Sequence, residues 1–303
     1  MMNKFSYYKG IALIQVLLIT AILSVLALYL TQTAKTQLKQ AQWANDKTQA
    51  LVGVNNAESL LMFHLLTNKR KMEAINTTNP YNGDFSHPTF AGINYYNTPF
   101  YLADVEIAIQ DQSGLIQLHY PKVEILKQLL ATKVDAPLVI EGIVDSLLDW
   151  QDIDSIQRPN GNETSVNGYV IRNGAMPSVT DILNINNIEK SIKQLIIKNS
   201  TIYQAGAFSP YNTTPDILSA LVGEATMQEV VSLRGTNQMT LARFKELTGI
   251  VETDNQYFYV SNYLKIEFTA KIGESNISKQ LFLHLNPYAE GQDKPFNIFI
   301  SRG

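Results

Sequence analysis

The sequence predicts an α+β fold, in which a long N-terminal helix lies on a small antiparallel sheet and a large all-α domain is inserted between the strands. Three observations predict it. An uncharged apolar run continues into a stretch whose only helix breaker is Gly53. Alternating strand patterns stand near residue 105 and again after residue 260. Between them, apolar residues recur at helical spacing, and strands on both sides of such a block can complete one sheet.

The run Ile11 to Leu30 has 20 residues without a charge, interrupted only by Gln15, Thr20 and Ser24. A helix of that length covers the roughly 30 Å of a bilayer's hydrocarbon. Lys4 and Lys9 precede it, so the positive-inside rule leaves the short N-terminus in the cytoplasm and carries the rest across the membrane. A removable secretory signal has a shorter apolar centre ending in small residues. Here TQTAKTQLKQAQWANDKTQALVGVNNAESLLMFHLL prolongs the helix, with Leu38, Ala41, Val52, Leu61, Met62 and Leu65 as the stripe offered to a core. From Ile11 to about Asn68 the rod would be about 90 Å long. The expected anchor part is 11–33.

After a loop-like stretch rich in Pro, Gly and Asn, YLADVEIAIQ alternates as one strand, DQSG supplies a turn, and LIQLHY supplies its partner. Later, Val260 to Ile272 and Ile277 to Leu285 alternate on either side of GESN as a hairpin. The helical segments VEILKQLL, IEGIVDSLLDW, TDILNINNIEKSIKQLII and TPDILSALVG fall between. The expected division is therefore 34–120 for the first part of the α/β body, 121–250 for the insert and 251–303 for the returning strands. Thr214 is placed as an N-cap before Pro215 and Asp216, and Ser178 stands three residues before Asp181 as a variant capping box.

Composition narrows the chemistry. The chain has no cysteine, which removes zinc fingers, iron–sulfur clusters and thiol nucleophiles. His64, His87, His119 and His284 show no ligand spacing. No GxSxG, SxxK, Walker A or zincin motif is present, and a non-enzymatic role is expected. Paired helices resemble helix-hairpin-helix nucleic-acid modules, but residues 126 to 250 carry 10 Lys and Arg against 13 Asp and Glu, which argues against DNA. Asp149, Asp152 and Asp154 crowd one helix end, followed by Asn160 and Glu163. Hard oxygen ligands of this kind suit calcium. The EF-hand register fails, since Ile156 takes position 5 and Gln157 the place of the glycine. A different oxygen-rich calcium loop and a solvated acidic helix end both remain open.

Lys9-Gly10 directly before the apolar run resembles the leader of type IV pilin-like proteins. That resemblance implies a leader of residues 1–10, cut by prepilin peptidase between Gly10 and Ile11, with methylation of the new N-terminus. It also implies a pilin-like body. The fifth residue after the cut is Gln15 where the family usually has Glu, a feature of subunits at the fibre tip. SLLDWQDIDSIQRPNGNE followed by FSPYNTTPDILSAL resembles the K-type minor pseudopilins of type II secretion. This second resemblance implies an inserted helical domain that binds structural calcium. It also implies a tip complex with the I-type and J-type minor pseudopilins, contact with the major pseudopilin, and a single-pass inner-membrane protein with a periplasmic body. A minor tip pilin of a type IV pilus is the alternative reading.

Overall fold

The computed structural model describes residues 9–70, 72, 92–163, 171–203 and 205–302, with no side-chain description for 9–11. Helix α1, Lys9–Thr67, is continuous over 59 residues. It is long and apolar enough to cross a membrane once, and the apolar residues Leu13 to Leu30 are exposed. Two of its polar interruptions are satisfied within the helix: the Thr20 hydroxyl donates to the Leu17 carbonyl at 2.9 Å and the Ser24 hydroxyl to the Thr20 carbonyl at 2.8 Å. The second half packs on the sheet through Ala50, Val54, Ala57, Leu61, Met62 and Leu65. This stripe differs from the expected one, because Leu38 is 71% and Val52 51% exposed. Ala50, Gly53 and Ala57 are small, which lets this part of the helix backbone lie close to the strands; a Cβ on Gly53 would stand 3.5 Å from the Val105 side chain.

The sheet has five antiparallel strands in the order β1-β2-β5-β6-β7. β1 is Phe100–Leu102 and β2 Val105–Asp111. The expected single strand YLADVEIAIQ is thus a tight hairpin of its own, turned at Ala103, whose φ is +51°. β5, Tyr263–Ile272, pairs with β2 on one side and with β6, Ser275–Leu285, on the other. The late hairpin stands as read, with a tighter turn: Ile272 pairs with Ser275, leaving two turn residues, and Gly273 adopts φ +56°. β7, Phe296–Arg302, completes the sheet and had no place in the sequence reading. Along β5, Leu264, Ile266, Phe268 and Ala270 are buried against α1, which is the alternation a half-covered sheet requires.

LIQLHY does not return beside β2. Residues Gln112–Gly114 form a short 3₁₀ turn, and β3, Ile116–Gln117, pairs in parallel with β4, Ser200–Thr201, inside the helical region. That region holds α2 (Val123–Ala131), α3 (Pro137–Asp149), α4 (Lys190–Asn199), α5 (Pro215–Val222), α6 (Glu224–Gly235) and α7 (Leu241–Thr248). Leu126, Leu129, Ile143, Leu147, Ile182 and Ile196 build its main core, separate from the core under α1. The two regions are tied by Asp111, a buried carboxylate that accepts from Ser113 N–H at 3.0 Å, Asn212 Nδ2 at 2.8 Å and Ser261 N–H at 2.8 Å. The Thr214 cap is present, its hydroxyl accepting from Ile217 N–H. Ser178 caps Thr180 N–H, but Asp181 does not reach back to complete a box: it accepts from Trp150 Nε1 and pairs with Arg172.

Candidate metal centre

The site grows from the end of α3. Pro137 sits in the first turn, where its missing N–H costs nothing, and Ile140, Ile143, Val144 and Leu147 turn one face into the core. That stripe fixes the helix and delivers Asp149 to its last position with a fully buried side chain. Trp150, 5% exposed, anchors the exit by donating its indole N–H to Asp181 at 2.9 Å. Gln151 Nε2 donates to the Leu118 carbonyl at 2.9 Å, clipping the loop to the region's other edge.

Ligand oxygens of Asp149, Asp152 and Glu163 lie within 4.8 Å of one another. Arg158 Nη1 donates to Asp149 Oδ1 at 2.6 Å and also to Asp152 Oδ2. These contacts raise the Arg158 pKa, the Asp152 hydrogen bond contributing most. Three carboxylates against one guanidinium leave two negative charges uncompensated within the cluster. Asp152 Oδ1 and both Glu163 oxygens are buried without a hydrogen-bond partner. Burial pushes the Glu163 carboxyl above its ordinary range, and the neighbouring charges of Asp149 and Asp152 push it further the same way. A divalent cation with oxygen preference would balance both the charge and the orphaned acceptors.

The loop closes tightly. Gly161 N–H donates to the Arg158 carbonyl at 3.1 Å, and Gln157 Nε2 donates to the Gly161 carbonyl at 2.7 Å. A Cβ on Gly161 would fall 2.0 Å from Asp149 Oδ2, so only glycine lets the backbone pass the buried acid.

The sequence-derived set is therefore partly brought together. Asp149, Asp152 and Glu163 converge. Asp154 stands outside that triad and is exposed, its Oδ1 accepting from Ile156 N–H at 2.8 Å. Asn160 lies against Asp145, with its N–H 3.1 Å from Asp145 Oδ2. Asp145 and Gly161 were missed; Asp145 sits one helical turn before Asp149, the i, i+4 spacing that puts both on one face. Gly10 and Ile11 lie within the helical backbone of α1, and Gln15 is exposed on it. Residues 1–8 and His87 fall outside the described residues.

No protein-family model matches the chain, and neither does any curated protein. Among solved structures, the chain is similar to one in the crystal structure of the GspK-GspI-GspJ complex from the type 2 secretion system of enterotoxigenic Escherichia coli. The match covers 87% of this chain and 98% of that one, with a TM-score of 0.51 and 16% identity. What the two chains share is the fold.

Proposed function

We propose that this chain is a minor pseudopilin of a type II secretion system. In this reading it joins other minor pseudopilins at the pseudopilus tip, where the complex starts or caps the fibre used for export across the outer membrane. The observation that carries the reading is α1, one uninterrupted helix whose first part is apolar and exposed while its second part packs on the sheet. A helix built this way serves first as a membrane anchor and then as a packing surface for the helices of neighbouring subunits. In lipid, such packing depends on close van der Waals fit more than on the hydrophobic effect. The fold likeness to a chain of the GspK-GspI-GspJ complex supports the same reading.

In this mechanism the precursor waits in the inner membrane with its body in the periplasm, and prepilin peptidase removes residues 1–10 before assembly. Gln15 then contributes a neutral amide where a carboxylate would need a partner's ammonium, which suits a subunit with no neighbour above it. The bulk of the inserted helices would obstruct a further subunit. Asp149, Asp152 and Glu163 would hold calcium, with Arg158 balancing part of their charge; the ion would supply charge neutralisation and lock the loop after α3. No catalytic residue is assigned.

The test is mass spectrometry of the protein taken from cells, together with co-purification against I-type and J-type minor pseudopilins. A mature N-terminus at a methylated Ile11 and recovery of a stoichiometric complex are expected. A chain that retains residues 1–10, or that recovers neither partner, overturns the reading.

A further inference from the structure

The face of the sheet turned away from α1 carries Lys265 on β5, Gln280 and Phe282 on β6, and Ile300 and Arg302 on β7. Lys265 pairs with Phe282, Phe282 with Ile300, and Gln280 with Arg302. Between this face and the inserted helices lies a cavity of about 750 Å³. The helical side supplies Ile197, Lys198, Tyr203, Val231 and Arg234. No described residue lining it is an Asp or Glu.

Its electrostatics are one-sided. Lys198 and Lys265 are paired with Asp216 and Glu267, each at 2.8 Å. Arg302 has no ion pair among the described residues and is exposed. Arg234 is 2% exposed, and its guanidinium donates only to the carbonyls of Thr213 at 2.8 Å and Tyr211 at 2.6 Å. It lies 4.5 Å over the Tyr96 ring, its Nε has no partner, and no carboxylate pairs with it among the described residues. Burial pulls its pKa down to about 10, the direction expected for a cation that lacks an anion. The Tyr96 hydroxyl, Gln110 Oε1 and Ser200 Oγ, all buried in residues of the same lining, are unpartnered too. A buried charge without a counterion is costly, and a wall whose two unpaired cations are Arg234 and Arg302, with the neighbouring Glu267 held by Lys265 and Gln280, is complementary to a carboxylate.

The cavity borders a strand edge, since Ile300 and Arg302 of β7 are in its lining. Among the described residues β7 pairs with β6 alone, so its outer N–H and C=O groups have no described strand beside them. A register shift between Phe282 and Leu283 leaves Phe299 as an extra residue, whose ring stacks 5.4 Å from Tyr203, itself 3.9 Å from Phe282. Ile298 and Phe299 are 44% and 48% exposed. The edge has no proline and a single charge, Arg302, so the bulge at Phe299 is its main protection against strand addition.

We propose that β7 and this cavity receive an extended acidic segment of a partner polypeptide. The segment adds to the sheet as a sixth strand, its backbone pairing with β7. Alternate side chains turn toward the helices: an apolar one packs against Phe282 and Tyr203, and a carboxylate meets Arg302 within the field of Arg234. The proposal does not depend on the reading of the chain as a pseudopilin.

The test uses the full chain in its native cells, with the photo-crosslinker p-benzoylphenylalanine in place of Ile300, and maps any adduct by mass spectrometry. One adduct is expected, to a segment of one partner that carries Asp or Glu at alternating positions, with its yield falling at least tenfold in Arg302→Glu and kept in Arg302→Lys. Amides of β7 should gain hydrogen-exchange protection in the isolated complex. A non-acidic segment, an adduct to lipid or to a second copy of this chain, or a yield indifferent to Arg302→Glu overturns the proposal. No adduct at Ile300, in protein whose protease resistance matches the wild type, overturns it as well.

Discussion

Glu163 completes a cluster in which three carboxylate groups bring oxygens within 4.8 Å of one another, with Arg158 shared between the other two. At that separation each pair repels by about 1 to 3 kcal/mol for effective dielectrics between about 80 and 20. Arg158 offsets part of this and solvent screens more, leaving about 1 to 2 kcal/mol against the ionised Glu163 when no cation is bound. Glu163→Gln should therefore stabilise the protein in the presence of a chelator, raising Tm by about 2 to 6 °C. With free calcium at about 100 times its Kd, the wild type gains about 2.7 kcal/mol by mass action. The variant, short of one charged ligand, gains much less. The order of the two Tm values should then invert between chelator and calcium. Thermal unfolding of the full chain in detergent, followed by circular dichroism, reads both conditions. A variant less stable than wild type in chelator would refute the repulsion argument. A wild type unmoved by millimolar calcium would refute the cation.

Gly161→Ala should cost more than an ordinary loop substitution, because its Cβ meets Asp149 Oδ2 at 2.0 Å; a loss of at least about 2 kcal/mol in chemical denaturation is expected. Leu61→Ala removes a fully buried side chain between α1 and the sheet and should lose about 2 to 5 kcal/mol by the same assay, while Leu38→Ala, at an exposed position, should stay within about 0.5 kcal/mol. Burial raises the pKa of Asp111 against the pull of its hydrogen-bond donors. A carboxyl shifted upward contributes stability below its unfolded-state pKa and loses that contribution as pH rises through its folded-state value. The stability difference between wild type and Asp111→Asn, measured by urea titration across the acid range, should accordingly shrink as pH increases. A difference that grows with pH would contradict the shift.

The late hairpin was legible because one face of β5 is buried along its whole length, so Leu264, Ile266, Phe268 and Ala270 print a period of two into the sequence. YLADVEIAIQ alternates as well, yet it breaks at Ala103, a residue whose type gives no warning of a positive φ. β7 escaped notice because it is an edge, exposed on much of both faces, where burial imposes little pattern. The packing stripe of α1 was misread for a related reason: Ala50 and Ala57 are buried, whereas Val52 and Leu38 face outward. At the acidic site, proximity in sequence identified Asp149 and Asp152, and Glu163 followed from counting along the loop. Asp145 and Gly161 required the loop's return path, which no local spacing encodes.

The turn of the β5–β6 hairpin reaches back along α1. Glu274 pairs with Lys39 at 3.4 Å, and Gly273 abuts Asp46, so a Cβ there would meet its Oδ2 at 2.2 Å. From Leu30 at the end of the apolar run to Lys39 is about 13 Å of helix, and headgroups occupy about 5 to 8 Å beyond the hydrocarbon. An upright rod thus holds the hairpin tip only a few ångströms above the lipid surface. Leaning toward that side brings the tip against the headgroups almost at once. With α1 spanning a bilayer, the turn at Gly273 and Glu274 would act as the body's doorstop on that side.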